Sequence, residues 1–212
     1  NARPKSSYYT DKRLITKLMR HGVDYIELRT LDINPLSNIG LDIDTLKFLE
    51  LFIMYCTFKD SPPISKCEMN QYKKNDLLVA KYGRKEGLLL KNSGKDILLK
   101  QWANNILDEM IPLAEYLGGY DELLQKNFLK IKDSNLTLSG LLMRKYLDSN
   151  ISFYDFNFKN GELYKKDFLE KKQSTDNANL FLDEARDSII RQNKIENSDK
   201  ESFEKFVDDY FS

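Results

Sequence analysis

Glu27 and Arg29 are the residues of this 212-residue chain best spaced to do chemistry together. They lie in the run Val23-Asp-Tyr-Ile-Glu-Leu-Arg-Thr-Leu-Asp-Ile33, whose alternation reads as a β-strand with its charges in the middle. Residues two apart on a strand share a face, roughly 7 Å from one another. Tyr25, Glu27, Arg29 and Leu31 then share one side; Ile26, Leu28 and Thr30 share the other. If the charged side is buried or lines a cleft, both charges need partners. A carboxylate there is a good ligand for a hard cation such as Mg²⁺, and a guanidinium binds phosphate oxygens in pairs. Together they make half of a phosphoryl-transfer site. The plainer alternative is a salt bridge on a wet sheet face.

Arg3 and Lys5 repeat the two-residue spacing in an extended segment around Pro4. They suit a phosphate or carboxylate clamp, or else a solvated basic terminus. Residues 1–20 carry six basic side chains against Asp11 alone. His21, the single histidine, sits with Gly22 at the end of a short helix, where it caps rather than catalyses. Cys56 falls in an apolar helix and reads as a core residue; Cys67 falls in a polar first turn. Neither has a metal-ligand spacing, so both read as reduced thiols of a cytoplasmic protein. Gly83-Arg-Lys-Glu-Gly87 could hold an anion, although an exposed basic turn is the commoner case. No phosphate-binding loop, dinucleotide fingerprint, nucleophile elbow or kinase signature occurs.

The elements around these residues are mostly helical. Thr10 and Asp11 can cap a helix over 12–20, with Leu14, Ile15, Leu18 and Met19 on one face. Asp42 or Asp44 starts an apolar helix to Phe58, and Ser65 with Glu68 forms a capping box for a helix to about Tyr82. Leu88 to Leu90 could be a short strand. A long helix is expected from about Asp96 to Leu117, kinked at Pro112 and ended by Gly118-Gly119. Further helices are expected over 121–131, 139–149, 162–172, 177–192 and 199–211. One or two strands do not make a stable sheet, so their partners must lie elsewhere. Net charge is zero, from 33 basic and 33 acidic residues, which argues against nucleic acid or anionic membrane as the main partner. The most apolar run, 46–58, is too short to span a bilayer.

The words Tyr25-Ile-Glu-Leu-Arg-Thr-Leu-Asp-Ile-Asn-Pro-Leu36 with Gly40 resemble the proteobacterial glutamate–cysteine ligase family. The resemblance continues through Leu46-Lys-Phe-Leu-Glu-Leu-Phe52, Gly83-Arg-Lys-Glu-Gly-Leu88 and, more loosely, Leu136-Thr-Leu-Ser139. Arg3-Pro4-Lys5 looks like the motif that precedes the strand. The likeness is to the C-terminal part of enzymes roughly twice as long. It implies a predominantly helical α+β chain whose strands join a glutamine-synthetase-like antiparallel sheet, completed by a missing N-terminal half. It also implies a strand region over 1–40 at the active-site sheet, with helices over 41–212 packed on it.

The reaction implied joins the γ-carboxylate of L-glutamate to the amine of L-cysteine through a γ-glutamyl phosphate. ATP is consumed with Mg²⁺, or Mn²⁺ in its place, as the first step of glutathione synthesis. On matching positions Glu27 would ligate the metal and Arg29 would hold the transferring phosphoryl group. Arg3 and Lys5 would lie by the phosphates. Most metal-binding carboxylates and the metal-binding histidine belong to the N-terminal half, so the chain alone is expected to be inactive. A tyrosine that the family places shortly before the Arg-Pro-Lys motif falls outside this chain, and Tyr8 and Tyr9 are not assigned its place. Two other readings stand beside this one: a non-catalytic helical interaction module, and a related ATP-dependent ligase with another amine acceptor.

Overall fold

The computed structural model describes residues 2–7, 13–172 and 174–211. Thr10 and Asp11, the expected caps of the first helix, lie outside them, as do Tyr8 and Tyr9. The chain is a predominantly helical α+β protein with two antiparallel strand pairs. It divides into two compact units, Asn1–Asp32 with Lys166–Ser212, and Ile33–Lys165.

In the first unit, β1 (Ala2–Lys5) pairs with β2 (Tyr25–Leu28), and α1 (Leu14–His21) lies between them in sequence. Gly22, at φ 80°, ends α1 by donating its N–H to the Leu18 carbonyl, a position that favours a residue without Cβ. The unit also contains α8 (Thr175–Ser198) and α9 (Phe203–Phe211). Arg13 ties the end of α9 to the start of α1. Its Nε donates to the Tyr210 carbonyl (3.1 Å), its Nη2 to the Phe211 carbonyl, and its guanidinium lies 6.0 Å from the Phe211 ring. No described residue of this unit is buried.

The second unit holds the core. Asp42 caps α2 (Ile43–Phe58) by accepting from the Thr45 N–H at 2.8 Å. The expected capping box is present at α3 (Lys66–Tyr82). There Ser65 Oγ accepts from the Glu68 N–H, and the Glu68 carboxylate accepts from the Ser65 N–H at 2.9 Å. Leu51 of α2, Leu107, Met110 and Ala114 of α4 (Leu99–Leu117) and Leu124 of α5 (Asp121–Lys132) are buried together. Burying each large apolar side chain contributes about 1.5–3 kcal/mol. A 3₁₀ turn at Ser134–Leu136 follows, then α6 (Leu138–Ser149). Gly140 is required here, because a Cβ would stand 2.6 Å from the Ser134 carbonyl and 2.7 Å from the Asn135 Cα.

The sequence expectation fails at two places. Residues 95–98 are not the start of the long helix but strand β4 (Lys95–Leu98), paired with β3 (Leu89–Asn92). Ser93 (φ 48°) and Gly94 (φ 82°) make the two-residue turn with both φ positive, which matches the twist of a hairpin. The other miss is α7 (Phe153–Glu170), which begins nine residues before the expected 162 and runs through Asn160-Gly161. Ser152 caps it, accepting from the Asp155 N–H at 3.0 Å, and Tyr154 stacks on Phe158 one turn on. A cap and a ring pair outweigh one glycine, which costs about 1 kcal/mol in a helix. No helix, among the described residues, is long and apolar enough to cross a membrane.

Candidate functional site

The β1–β2 ladder is built by short local devices. The Asp24 N–H donates to the Lys5 carbonyl (2.9 Å), and the Asp24 carboxylate accepts from the Ser7 N–H (2.5 Å) and Ser6 Oγ (3.3 Å). These bonds close the end of the pair next to the turn out of α1. Pro4 lacks an N–H, which is tolerated because every strand of a two-stranded sheet is an edge. The register places Arg3 opposite Glu27, Pro4 opposite Ile26 and Lys5 opposite Tyr25. By the strand period, Arg3, Lys5, Tyr25 and Glu27 share one face, with Arg29 just past the end of β2.

Glu27 is the hub of that face. Its Oε1 accepts from Arg29 Nε at 2.5 Å, and its Oε2 lies 3.0 Å from Lys5 Nζ, so each carboxylate oxygen holds one cation. The Arg29 guanidinium, and then the Lys5 ammonium, hold the Glu27 carboxyl well below the usual range, at about 2. The same bond raises the pKa of Arg29. All three side chains keep part of their surface in water, with Glu27 33% exposed. Arg3 is exposed, and its side chain makes no hydrogen bond or ion pair among the described residues.

Chemically, the face is a concentrated cationic surface around one carboxylate that stays ionised at any physiological pH. It can bind an anion through Arg3, Lys5 and Arg29, and it can offer hard oxygens to a cation. No group of three metal-ligating side chains occurs among the described residues. Among the described residues, Glu27 could offer a divalent metal one carboxylate ligand.

Of the four residues singled out from the sequence, Arg3, Lys5 and Glu27 thus come together in one strand pair, with Arg29 just past its end and bonded to Glu27. The direct Lys5–Glu27 contact is not part of the sequence expectation, which treats the two extended segments separately. Their shared two-residue charge spacing is the available signal. His21 is the last residue of α1, as the capping reading has it. Cys56 departs from expectation: it is exposed on α2 rather than in the core, because Leu51 carries the buried side of that helix. Partial desolvation still pushes its thiol up. Cys67 is exposed as well, and among the described residues both thiols are free.

The family model for glutamate–cysteine ligase matches residues 1–79, which contain the whole charged ladder. The chain is 33% identical to the glutamate–cysteine ligase of Pseudomonas fluorescens Pf-5 and 35% identical to that of Pseudomonas putida W619. In each case the match covers 99% of this chain and 41% of the relative. A crystal structure of glutamate–cysteine ligase from Francisella tularensis, in complex with AMP, superposes with a TM-score of 0.86. It is 27% identical and covers 99% of this chain and 42% of the other. The chain thus spans about two-fifths of the length of the relatives it matches. Over essentially its whole length the chain is similar, in sequence and in fold, to a part of these glutamate–cysteine ligases.

Proposed function

We propose that the protein carrying this chain is an ATP-dependent ligase joining the γ-carboxylate of L-glutamate to the amine of L-cysteine, the first step of glutathione synthesis. The observation that carries the reading is the β1–β2 face, where three cations surround an ionised carboxylate inside the segment matched by the family model. The relatives' name supports the reaction, and the AMP in the Francisella structure supports a nucleotide substrate. The exposed free thiols Cys56 and Cys67 fit a reducing setting such as the cytoplasm.

In this reading a glutamate carboxylate oxygen forms a bond to the terminal phosphorus of ATP, and ADP leaves. The cysteine amine then attacks the acyl carbon, inorganic phosphate leaves, and the amine nitrogen gives up its proton. Bound Mg²⁺ would supply neutralisation of phosphate charge as the phosphoryl group moves. Glu27 would provide one oxygen ligand to it. Arg29 would turn from Glu27 to the transferring phosphoryl group, where a planar guanidinium meets two oxygens at once. Lys5 and Arg3 would hold the phosphates from β1, so that Lys5, like Arg29, exchanges a carboxylate partner for a phosphate one. The other ligands and the amino-acid pockets would come from the part of the enzyme that precedes this chain, and the chain alone would not turn over.

Glu27→Gln in the intact protein tests the reading. ATP turnover dependent on glutamate and cysteine should fall to background while the circular dichroism spectrum and melting temperature are retained. Near-normal turnover overturns the role of Glu27. Robust turnover by the 212-residue chain alone overturns the dependence on a preceding part. A second reading has its own observation: both Glu27 oxygens are already engaged, as in a purely structural strut. On that reading Glu27→Gln would leave turnover intact.

A further inference from the structure

A cavity of about 400 Å³ opens within the second unit, away from the charged ladder in sequence. Its walls are apolar: Phe48 and Phe52 of α2, Leu99, Ala103 and Ile106 of α4, and Ile131 of α5. Residues 83–88 also line it, and they include the turn 83–87 that reads from sequence as either an anion holder or an exposed basic turn. Hydrogen bonds fasten that turn on two sides. The Leu99 N–H donates to the Leu88 carbonyl at 2.9 Å, and Ser134 Oγ donates to the Arg84 carbonyl at 3.3 Å. Lys100 Nζ joins Glu86 (2.6 Å) to the Lys132 carbonyl (3.2 Å). The mouth is therefore framed by the fold and is not a gap under a loose loop.

The charge at the mouth is one-sided. Arg84, Lys85, Lys100 and Lys130 line the cavity with Glu86 as the one anion, and Glu86 is already paired with Lys100. Among the described residues, Arg84, Lys85 and Lys130 make no salt bridge. Lys130 is half-buried; the Asp42 carboxyl feels its charge but forms no ion pair with it. A cation so placed is more costly than one in open water. The Phe48 and Phe52 rings lie nearly parallel, 6.0 Å apart, along one wall. A concave, largely apolar chamber of this size with polar and charged side chains in part of its lining has the form of a small-molecule site.

We propose that this cavity binds a small amphiphile with one anionic head: the apolar body lies against Phe48, Phe52, Ala103 and Ile106, and the head meets Arg84, Lys85 and Lys130 at the mouth. Charge complementarity selects the sign of the head, and the limited volume selects a single short chain or ring system over a membrane surface. The site is built from other residues than those assigned to phosphoryl transfer, so its occupancy and the ligase reading stand or fall independently.

The test is isothermal titration of the intact protein with dodecanoate and with dodecyltrimethylammonium, both below their micelle concentrations. Dodecanoate should bind saturably at one site, and the cationic analogue at least roughly tenfold more weakly, the scale of one charge-assisted contact. Arg84→Glu combined with Lys85→Glu, both at exposed positions, should weaken dodecanoate by roughly tenfold or more and leave the melting temperature unchanged. Ala103→Trp, which fills the chamber, should abolish binding of either amphiphile. Equal affinity for the two heads overturns the proposal, as does dodecanoate binding indifferent to the charge reversal. Absence of saturable binding also overturns it, since another part of the protein would then cover the mouth. The double charge reversal at Arg84 and Lys85 keeps the answer decisive should Ala103→Trp fail to fold.

Discussion

The two strand pairs of this molecule are alike in size and opposite in construction. β3 and β4 are adjacent in sequence, joined by Ser93-Gly94, and clamped by a helix. Asn75 of α3, only 7% exposed, donates to the Lys91 carbonyl (2.7 Å) and accepts from the Lys91 N–H (3.0 Å). Its amide thus does for one edge what a further strand would do. Gln71 adds an acceptor for the Gly94 N–H at 3.2 Å, and Leu90 of β3 is buried. β1 and β2 have no buried side chain and are joined by bonds at their surface. A two-stranded sheet is marginal by itself, so the difference separates a strand pair used as scaffold from one used to display charge. The core sits with the first, the candidate chemistry with the second.

Hydrogen exchange on the 212-residue chain offers the sharpest way to break that comparison. Amides of α4 around Leu107 and Met110 should exchange at least about a hundredfold more slowly than those of β2, because only the former open with loss of a core. Comparable protection in both would show that the charged pair is a stable unit in itself.

Asn75→Ala comes next in size. It leaves a backbone donor and acceptor of Lys91 without partners and should cost about 1–3 kcal/mol in urea denaturation. A loss below about 0.5 kcal/mol would mean that water replaces the clamp. Gly94→Ala should cost about 1–2 kcal/mol, the penalty of placing a Cβ at φ 82°, and an unchanged midpoint would argue against the two-residue turn.

The smallest effect falls on the charged ladder. Glu27 has its folded pKa lowered from 4.5 to about 2, so its contribution to stability is present above about 4.5 and is lost as pH falls toward 2. Carboxyl-carbon NMR should find Glu27 titrating near 2, with Arg29→Ala raising it more than Lys5→Ala, since the Arg29 bond is the larger cause. A titration near 4.5 would mean that the ion pairs do not persist in water.

What is legible in the sequence follows the same division. The charged ladder is readable because strand period alone puts Glu27 with Arg29 and Arg3 with Lys5. Caps at Asp42 and Ser65 are readable because capping is local chemistry within four residues. The second hairpin is not. Lys95-Asp-Ile-Leu98 runs without a break into the apolar period of α4, and a four-residue strand has too few positions to assert its own period. Ser93-Gly94 is the missed cue. Cys56 is misplaced because α2 is apolar on most sides, so its period does not identify which side faces Leu107 and Met110. The Lys5–Glu27 pair depends on two segments about twenty residues apart, a meeting that no single segment encodes.

The tight turn at Ser93-Gly94 also bears on the order in which the chain assembles. Hairpins close in about 1–10 μs, and this one has a loop of only two residues to close. β1 and β2 must bring together segments separated by α1, at a higher closure entropy and with no core to reward the encounter. The β3–β4 hairpin is thus poised to form early, with α3 docking through Asn75 onto an edge that already exists. The charged ladder would close later, so a folding intermediate of this chain would possess its core before it possessed its charged ladder.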